Sequence, residues 1–390
     1  RGITSAWGAH GAAGDRFYAF DKKTGELVWS SAPGDRPQDN TFSNPYLDYW
    51  DGKRVLYSAG GDSSILALNA RTGEPIWRFA FAKAGAKGGI NASIIRYQDS
   101  LIALHESENL DSTEIGRMAA FRIPAPNEVK PTNSLSPAVF EAKQLELWRN
   151  GIGSLASSPV LVGDTVYEVT GVGDLAAVDA RNGKVLWKKK LAIEQRQSTP
   201  FYADGYLYVA MYIASEGTEA AKQADTDAGG DGDLWVLKPG PDGADVVSHT
   251  ALKGRAYGSP IGYNGKIYLQ TDKQLYAWGK AGKNPGLVHT PAPAPFPKPG
   301  PAAQLQIIPY EVFLRPGETQ SFRIRSLDAK GFTVSESVDP KSVKWEPYIP
   351  PTALVKVTMR AHFDADGRLV TEPAAMGSAG QIVLNRIAFA

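Results

Sequence analysis

Along FYAFDKKTGELVW (17–29) apolar and polar residues alternate, break at a polar turn holding Asp21 and Gly25, and alternate again into Trp29. The same pattern returns in ILALNARTGEPIW (65–77) through Gly73 into Trp77, and in LAAVDARNGKVLW (175–187) through Asp179 and Gly183 into Trp187. A more worn copy, LWVLKPGPDGADVV, occupies 234–247. A period of two marks half-buried strands, and a glycine-bearing turn between two such runs marks a β-hairpin, because glycine supplies the positive φ the turn needs.

Two further strand-like runs, SSPVLVG (157–163) and TVYEVTG (165–171), precede the clearest copy, so one unit reads as four antiparallel strands. Comparable pairs are FSNPYLDYWDGKRVLYSAG (42–60), STPFYADGYLYVAMY (198–212) and GSPIGYNGKIYLQ (258–270). Four-stranded units of roughly 40 residues in tandem are the sequence form of a β-propeller, in which each unit buries its faces only against its neighbours. The units fall at about 1–32, 38–82, 88–150, 154–192, 197–252 and 256–280. The first starts at its second strand and the last stops after its third, so the expectation is an incomplete ring in a piece of a longer chain. Trp29, Trp77, Trp148 and Trp187 share one position, on the outer strand, where a buried indole wedges between blades.

The tandem DxxTGxxxW hairpins resemble the PQQ-like propeller repeat, the family of quinoprotein dehydrogenases and of the outer-membrane assembly lipoprotein BamB. The resemblance covers about residues 1–280. It implies an all-β propeller over 1–282, and for Asp21, Gly25, Trp29, Gly73, Trp77, Trp148, Asp179, Gly183 and Trp187 it implies packing and turn formation. No residue is expected to be catalytic.

At Lys283 the pattern dissolves into KNPGLVHTPAPAPFPKPGPAAQ, whose prolines favour an extended spacer, and 283–303 reads as a linker. Beyond it roughly six or seven strands fit into about 85 residues, as in an Ig-like sandwich. The stretch LRPGETQSFRIRSLDAKG resembles a bacterial Ig-like domain, with Trp345 as its core aromatic, so 304–390 is expected to be a small Ig-like β-sandwich acting as a spacer.

Composition narrows the chemistry. No cysteine means no disulfide, thiolate metal site or cysteine nucleophile. With 42 basic and 41 acidic residues the formal charge is +1, which argues against nucleic acid as partner. No run of about 18 apolar residues is present, so no transmembrane segment is expected. Five histidines are scattered without ligand spacing, and no nucleophile elbow, phosphate loop or zinc-helix motif occurs.

Two insertions break the short-loop rule between second and third strands, 105–118 and 214–233, and both are acidic. Glu106, Glu108, Asp111, Glu114, Glu216 and Glu219 are the candidate binding-face residues. Asp225, Asp227, Asp231 and Asp233, interleaved with glycines, have the hard oxygen donors of a calcium loop but not EF-hand spacing, so a solvated acidic loop competes with a Ca²⁺ site. The expectation is a non-catalytic scaffold of the periplasm or cell surface, binding a protein or an envelope polymer and needing no cofactor. The alternative is a quinoprotein dehydrogenase with PQQ and Ca²⁺. Many members of that class hold the quinone against a vicinal disulfide, which this chain cannot form.

Overall fold

The computed structural model describes residues 2–6, 16–37, 41–82, 89–106, 117–131, 136–193, 197–212, 231–279, 294–348, 359–373 and 381–386. Among the described residues six mainly antiparallel sheets follow one another from residue 2 to 279, and the fold is a β-propeller. Blade one has three described strands, Gly2–Ala6, Arg16–Phe20 and Leu27–Ser31. Blade two is Tyr46–Trp50, Lys53–Ala59, Ser64–Asn69 and Pro75–Ala80. Blade three is Ile95–Tyr97, Ser100–His105, Arg117–Arg122 and Glu146–Asn150. Blade four is Val160–Val162, Thr165–Val169, Asp174–Asp179 and Val185–Lys190. Blade five is Phe201–Ala203, Tyr206–Met211, Asp233–Pro239 and Ala244–Ala251. Blade six has three described strands, Ile261–Tyr263, Lys266–Gln270 and Leu275–Gly279. The first strands of blades three to six lie side by side in order, which sets them around a common axis.

One irregularity repeats in blades one to five, in the strand pair that carries the repeat. The register slips by one residue after Ala19, Ala67, Ala120, Ala177 and Val236, a β-bulge that twists the outer strand. In four blades the residue opposite the bulge is the repeat tryptophan: Ala19 faces Trp29, Ala67 faces Trp77, Ala120 faces Trp148 and Ala177 faces Trp187. The alanine leaves room for the indole. In blade five Ser248 stands in that place, opposite Val236.

Three of the indoles reach the hairpin turn of the next blade. Trp29 Nε1–H donates to the Ala70 carbonyl at 3.3 Å, Trp148 to Ala180 at 2.9 Å and Trp187 to Gly240 at 3.0 Å. The turn glycines make the approach achievable: a Cβ on Gly73 would lie 2.6 Å from the Trp29 ring, and one on Gly183 would run into Trp148. Both also hold φ near +75°, where any side chain is strained. Trp77 faces a blade without such a turn; it stacks on Phe79 and lies tilted against Tyr57 at 5.7 Å, and its Nε1 has no partner among the described residues. All four indoles are between 1% and 9% exposed, as the shared position in the repeat predicts.

Three features depart from the sequence reading. Ala138–Phe140, assigned to the third unit by its position, pairs in parallel with Pro75–Ala80 and gives blade two a fifth strand. The first strand of the C-terminal region begins at Ala302, inside the stretch given to the linker. The linker's distal half is also packed rather than free: Phe296 meets the Phe332 ring at 5.7 Å, and the Arg71 guanidinium of blade two lies 5.2 Å over Phe296.

Among its described residues the C-terminal region holds three small sheets, one of them Ala302–Ile308, Arg323–Asp328 and Thr333–Ser335. Trp345 stacks on Phe363 at 4.4 Å and lies 5.7 Å from Phe322, in a half-buried aromatic cluster. The region is fastened to the hairpin turns of blades one and two. Tyr310 N–H donates to the Leu27 carbonyl at 2.8 Å, Asn69 Nδ2 to Lys330 O at 3.1 Å, and Arg71 Nη2 to Thr333 Oγ1 at 2.8 Å. Ile308 is buried in the same cluster as Trp29.

Candidate binding face

A blade alternates direction at each strand, so its second-to-third connection and the connection from the previous blade emerge at the same end. The structure ties them together there. Asp35 N–H donates to Asp62 Oδ2 at 2.8 Å, Glu106 N–H to Gly89 O at 2.9 Å, Gly171 N–H to Gly153 O at 3.2 Å and Gly232 N–H to Gly254 O at 2.9 Å. The repeat hairpins occupy the opposite end. Of these, the turns of blades one and two carry the C-terminal region.

Both acidic insertions leave and return at the connection end, on anchored residues. Glu106 accepts from Gly89 N–H at 2.9 Å and from Asn91 Nδ2 at 2.5 Å, which fixes the start of the first insertion. Beside it His105, fully buried, meets Ser63 Oγ at 3.2 Å through Nε2 and the Glu106 carbonyl at 3.2 Å through Nδ1. Ser63 has φ +60° and is 2% exposed, so this serine–histidine pair is shut away from solvent and serves to brace the turn. Asp231, near the end of the second insertion, accepts from Gly254 N–H at 2.8 Å. Asp233 is 1% exposed and its Oδ2 lies 2.6 Å from His249 Nε2, whose ring stacks on Trp235. Glu108, Asp111, Glu114, Glu216, Glu219, Asp225 and Asp227 lie outside the described residues. Among the described residues no group of three or more metal-ligating side chains is assembled.

Next to the second insertion, Arg255 Nη1 donates to the Tyr212 hydroxyl at 3.0 Å, and the Tyr212 and Tyr257 hydroxyls are 3.3 Å apart. The Tyr212 hydroxyl, then the Arg255 guanidinium, hold the Tyr257 phenol below its usual value. Tyr257 stays 41% exposed, so this cluster offers an aromatic and cationic surface beside an acidic loop.

Toward the axis a belt of hydrogen bonds crosses from blade to blade. Asn44 N–H donates to Ser93 Oγ at 3.3 Å, Ser93 N–H to Ser158 Oγ at 2.8 Å, Ser158 N–H to Thr199 Oγ1 at 3.0 Å, and Thr199 N–H to Ser259 Oγ at 2.9 Å. Sequence reasoning did not assign these roles. The signal was present, since Asn44, Ser158, Thr199 and Ser259 each precede a proline, which holds the residue before it in extended backbone.

Sequence reasoning also passed over Glu168, on the second strand of blade four. Burial pushes its carboxyl well above the usual range, and the Ser157 and Ser154 hydroxyls and the Val169 amide only partly oppose that. Neither oxygen has a well-formed hydrogen bond among the described residues. The side chain is fully buried, so it can keep a proton but cannot meet a substrate.

A family model described as outer membrane protein assembly factor BamB matches residues 8–124 and 138–238, more than half of the chain. The chain is 25% identical over 283 residues to the serine/threonine-protein kinase AfsK of Streptomyces griseus, covering 66% of this chain and 31% of the kinase. It is 27% identical over 164 residues to the outer membrane protein assembly factor BamB of Burkholderia pseudomallei (strain K96243), covering 41% of this chain and 35% of that protein. The alignments thus span about a third of each curated relative. Among solved structures, BamB from Moraxella catarrhalis aligns at 18% identity with a TM-score of 0.48, over 68% of this chain and 67% of that one. No described helix is long and apolar enough to cross a membrane. With its repeat hairpins, bulges and interlocking tryptophans, the chain belongs to the BamB family of PQQ-like β-propeller repeat proteins.

Proposed function

We propose that the chain works outside the cytoplasm as a non-catalytic binding scaffold, presenting its connection face and strand edges to another protein or to an envelope polymer. The observation that carries this reading is the division of the two ends. The C-terminal region occupies turns of blades one and two, while both acidic insertions are anchored at the opposite end by hydrogen bonds from backbone N–H groups of the neighbouring connections. Long loops on a rigid scaffold are where binding residues concentrate. The relatives named for outer membrane protein assembly support a protein as the partner and the envelope as the setting.

The quinoprotein reading fits the residues poorly. Around the axis the belt offers hydroxyls and amides that already bond one another, and the buried carboxylate nearest it in sequence, Glu168, is closed off. The two readings separate by one pair of measurements. Photo-crosslinking residues placed at Asp35, 73% exposed, and at Tyr257 should capture a common envelope partner, whereas one placed in the opposite turn at Asn182 should not. Added PQQ with Ca²⁺ should produce neither a bound-quinone absorbance nor dehydrogenase turnover. Turnover, or crosslinks from Asn182 alone, would sink the scaffold reading.

A further inference from the structure

Without cysteine the chain can form no disulfide, but it has 16 tyrosines, and two of them are placed for another covalent link. Tyr212 follows Met211, the last residue of the second strand of blade five, and Tyr257 lies in the connection to blade six. Their rings meet edge to face at 4.9 Å, with an interplanar angle of 64°, and their hydroxyls are 3.3 Å apart. Among the described residues this is the one hydrogen-bonded pair of tyrosine hydroxyls.

The surroundings favour one-electron oxidation at this pair. Tyr257 is 41% exposed and can meet an oxidant, whereas Tyr212 is 4% exposed and is reached through its partner. Arg255 Nη1 donates to both hydroxyls, at 3.0 Å to Tyr212 and 3.4 Å to Tyr257, and its guanidinium lies 5.5 Å over the Tyr212 ring. The Tyr212 hydroxyl and then this cation hold the Tyr257 phenol below its usual value. A phenol that sheds its proton more readily also gives up its electron more readily.

We propose that Tyr212 and Tyr257 form a dityrosine cross-link when a haem peroxidase and hydrogen peroxide act on the chain. Oxidation removes a hydrogen atom from the Tyr257 hydroxyl. The phenoxyl radical takes the hydrogen atom of Tyr212 across the hydroxyl contact, and Tyr257 is then oxidised a second time. The two radicals join through a carbon–carbon bond between ring carbons ortho to the oxygens, and each ring moves its displaced ortho hydrogen to its own oxygen. One peroxide accepts the two electrons and two protons and leaves as two waters. The bond closes over the place where the second acidic insertion rejoins its blade, for there Gly232 N–H donates to the Gly254 carbonyl at 2.9 Å, and a Cβ on Gly232 would lie 2.6 Å from the Met211 carbonyl oxygen. A covalent clasp at that point restricts the base of the insertion as a disulfide would. It does so whichever partner the face takes, and it does not rest on the scaffold reading.

The test treats the whole chain with a haem peroxidase and hydrogen peroxide and separates monomer from cross-linked oligomers. The monomer should gain dityrosine fluorescence, and its digest should hold a peptide pair joining Tyr212 to Tyr257, lighter by two hydrogen atoms than the separate peptides. Tyr257→Phe and Tyr212→Phe, which remove one hydroxyl each, should lower that fluorescence at least tenfold with the circular dichroism unchanged; if a variant misfolds, the peptide map of the parent decides. Hydrogen exchange at the Gly232 amide should slow once the link has formed. No dityrosine in the monomer, dityrosine that maps mainly to other tyrosines, the parent's yield from either Phe variant, or coupling between molecules alone would overturn the inference. A cross-linked chain whose Gly232 amide exchanges as before would overturn its role as a clasp.

Discussion

Two seams hold this molecule together, and they are built differently. Between blades three and four the contact is apolar: Ile102, Leu104, Met118 and Ala120 of one sheet pack against Val166, Ala176 and Val178 of the next, and Trp148 closes the outer end against Gly183. Between the propeller and the C-terminal region the contact is mainly polar: turn carbonyls and side chains of Leu27, Asn69 and Arg71 meet Tyr310, Lys330, Gly331 and Thr333. The first seam is made of residues that recur in every unit. The second uses groups that the repeat leaves over at its turns, and it exists only where those turns are met.

The comparison predicts where damage should be greatest. Trp148→Ala removes a large buried side chain and leaves the Ala180 carbonyl without its donor, so a loss of about 3–5 kcal/mol is expected in urea denaturation. The glycine on the other side of that contact should matter almost as much. Gly183→Ala adds left-handed strain and drives a methyl into the Trp148 ring, together about 2–4 kcal/mol. Gly25 has the same positive φ but no atom within 4 Å of where a Cβ would stand, so Gly25→Ala should cost only about 1–2 kcal/mol. Equal losses at Gly183 and Gly25 would mean that backbone strain, not the indole contact, makes these glycines necessary.

Glu168 sharpens the comparison from inside the apolar seam. Its folded pKa lies above the unfolded value of 4.5, so the folded chain binds this proton more tightly. The stability it contributes is present below the unfolded pKa and is lost as pH rises toward and through the folded one. Glu168→Gln should therefore flatten the decline in stability above pH 4.5 and leave the variant more stable than the parent at neutral pH, read as a thermal midpoint that varies less with pH. A variant with the parent's slope would place the titration elsewhere.

Much of the propeller was legible because its determinants are local and repeated. Alternation, a turn glycine and a terminal tryptophan each report a constraint met within one hairpin, and several copies average out the noise of one. What was missed depends on pairing across the chain. Nothing near Ala138 says that it joins blade two, since the parallel partner lies some sixty residues upstream. Glu168 sits in an alternating run whose polar positions elsewhere read as solvent-facing, and only the packing of blade three against it makes it buried. The acidic insertions announce themselves by composition, yet of their candidate residues only Glu106, Asp231 and Asp233 could be placed. Each of those three is engaged by backbone or histidine partners in the scaffold itself.

The polar seam should yield least to single changes. Arg323 pairs with Glu26 at 3.2 Å and with Glu336 at 3.6 Å, but the side chains are 33%, 38% and 66% exposed, so water competes for every charge. Exposed pairs of this kind contribute about 0–1 kcal/mol, and salt weakens them further. Arg323→Ala should thus leave the propeller transition in place and shift overall stability by less than about 1 kcal/mol. Its effect should appear instead as faster hydrogen exchange at the Tyr310 amide, which donates across the seam to Leu27. If Arg323→Ala cost as much as Trp148→Ala, the C-terminal region would have to be counted as part of the propeller's own core, and the distinction between the seams would fall.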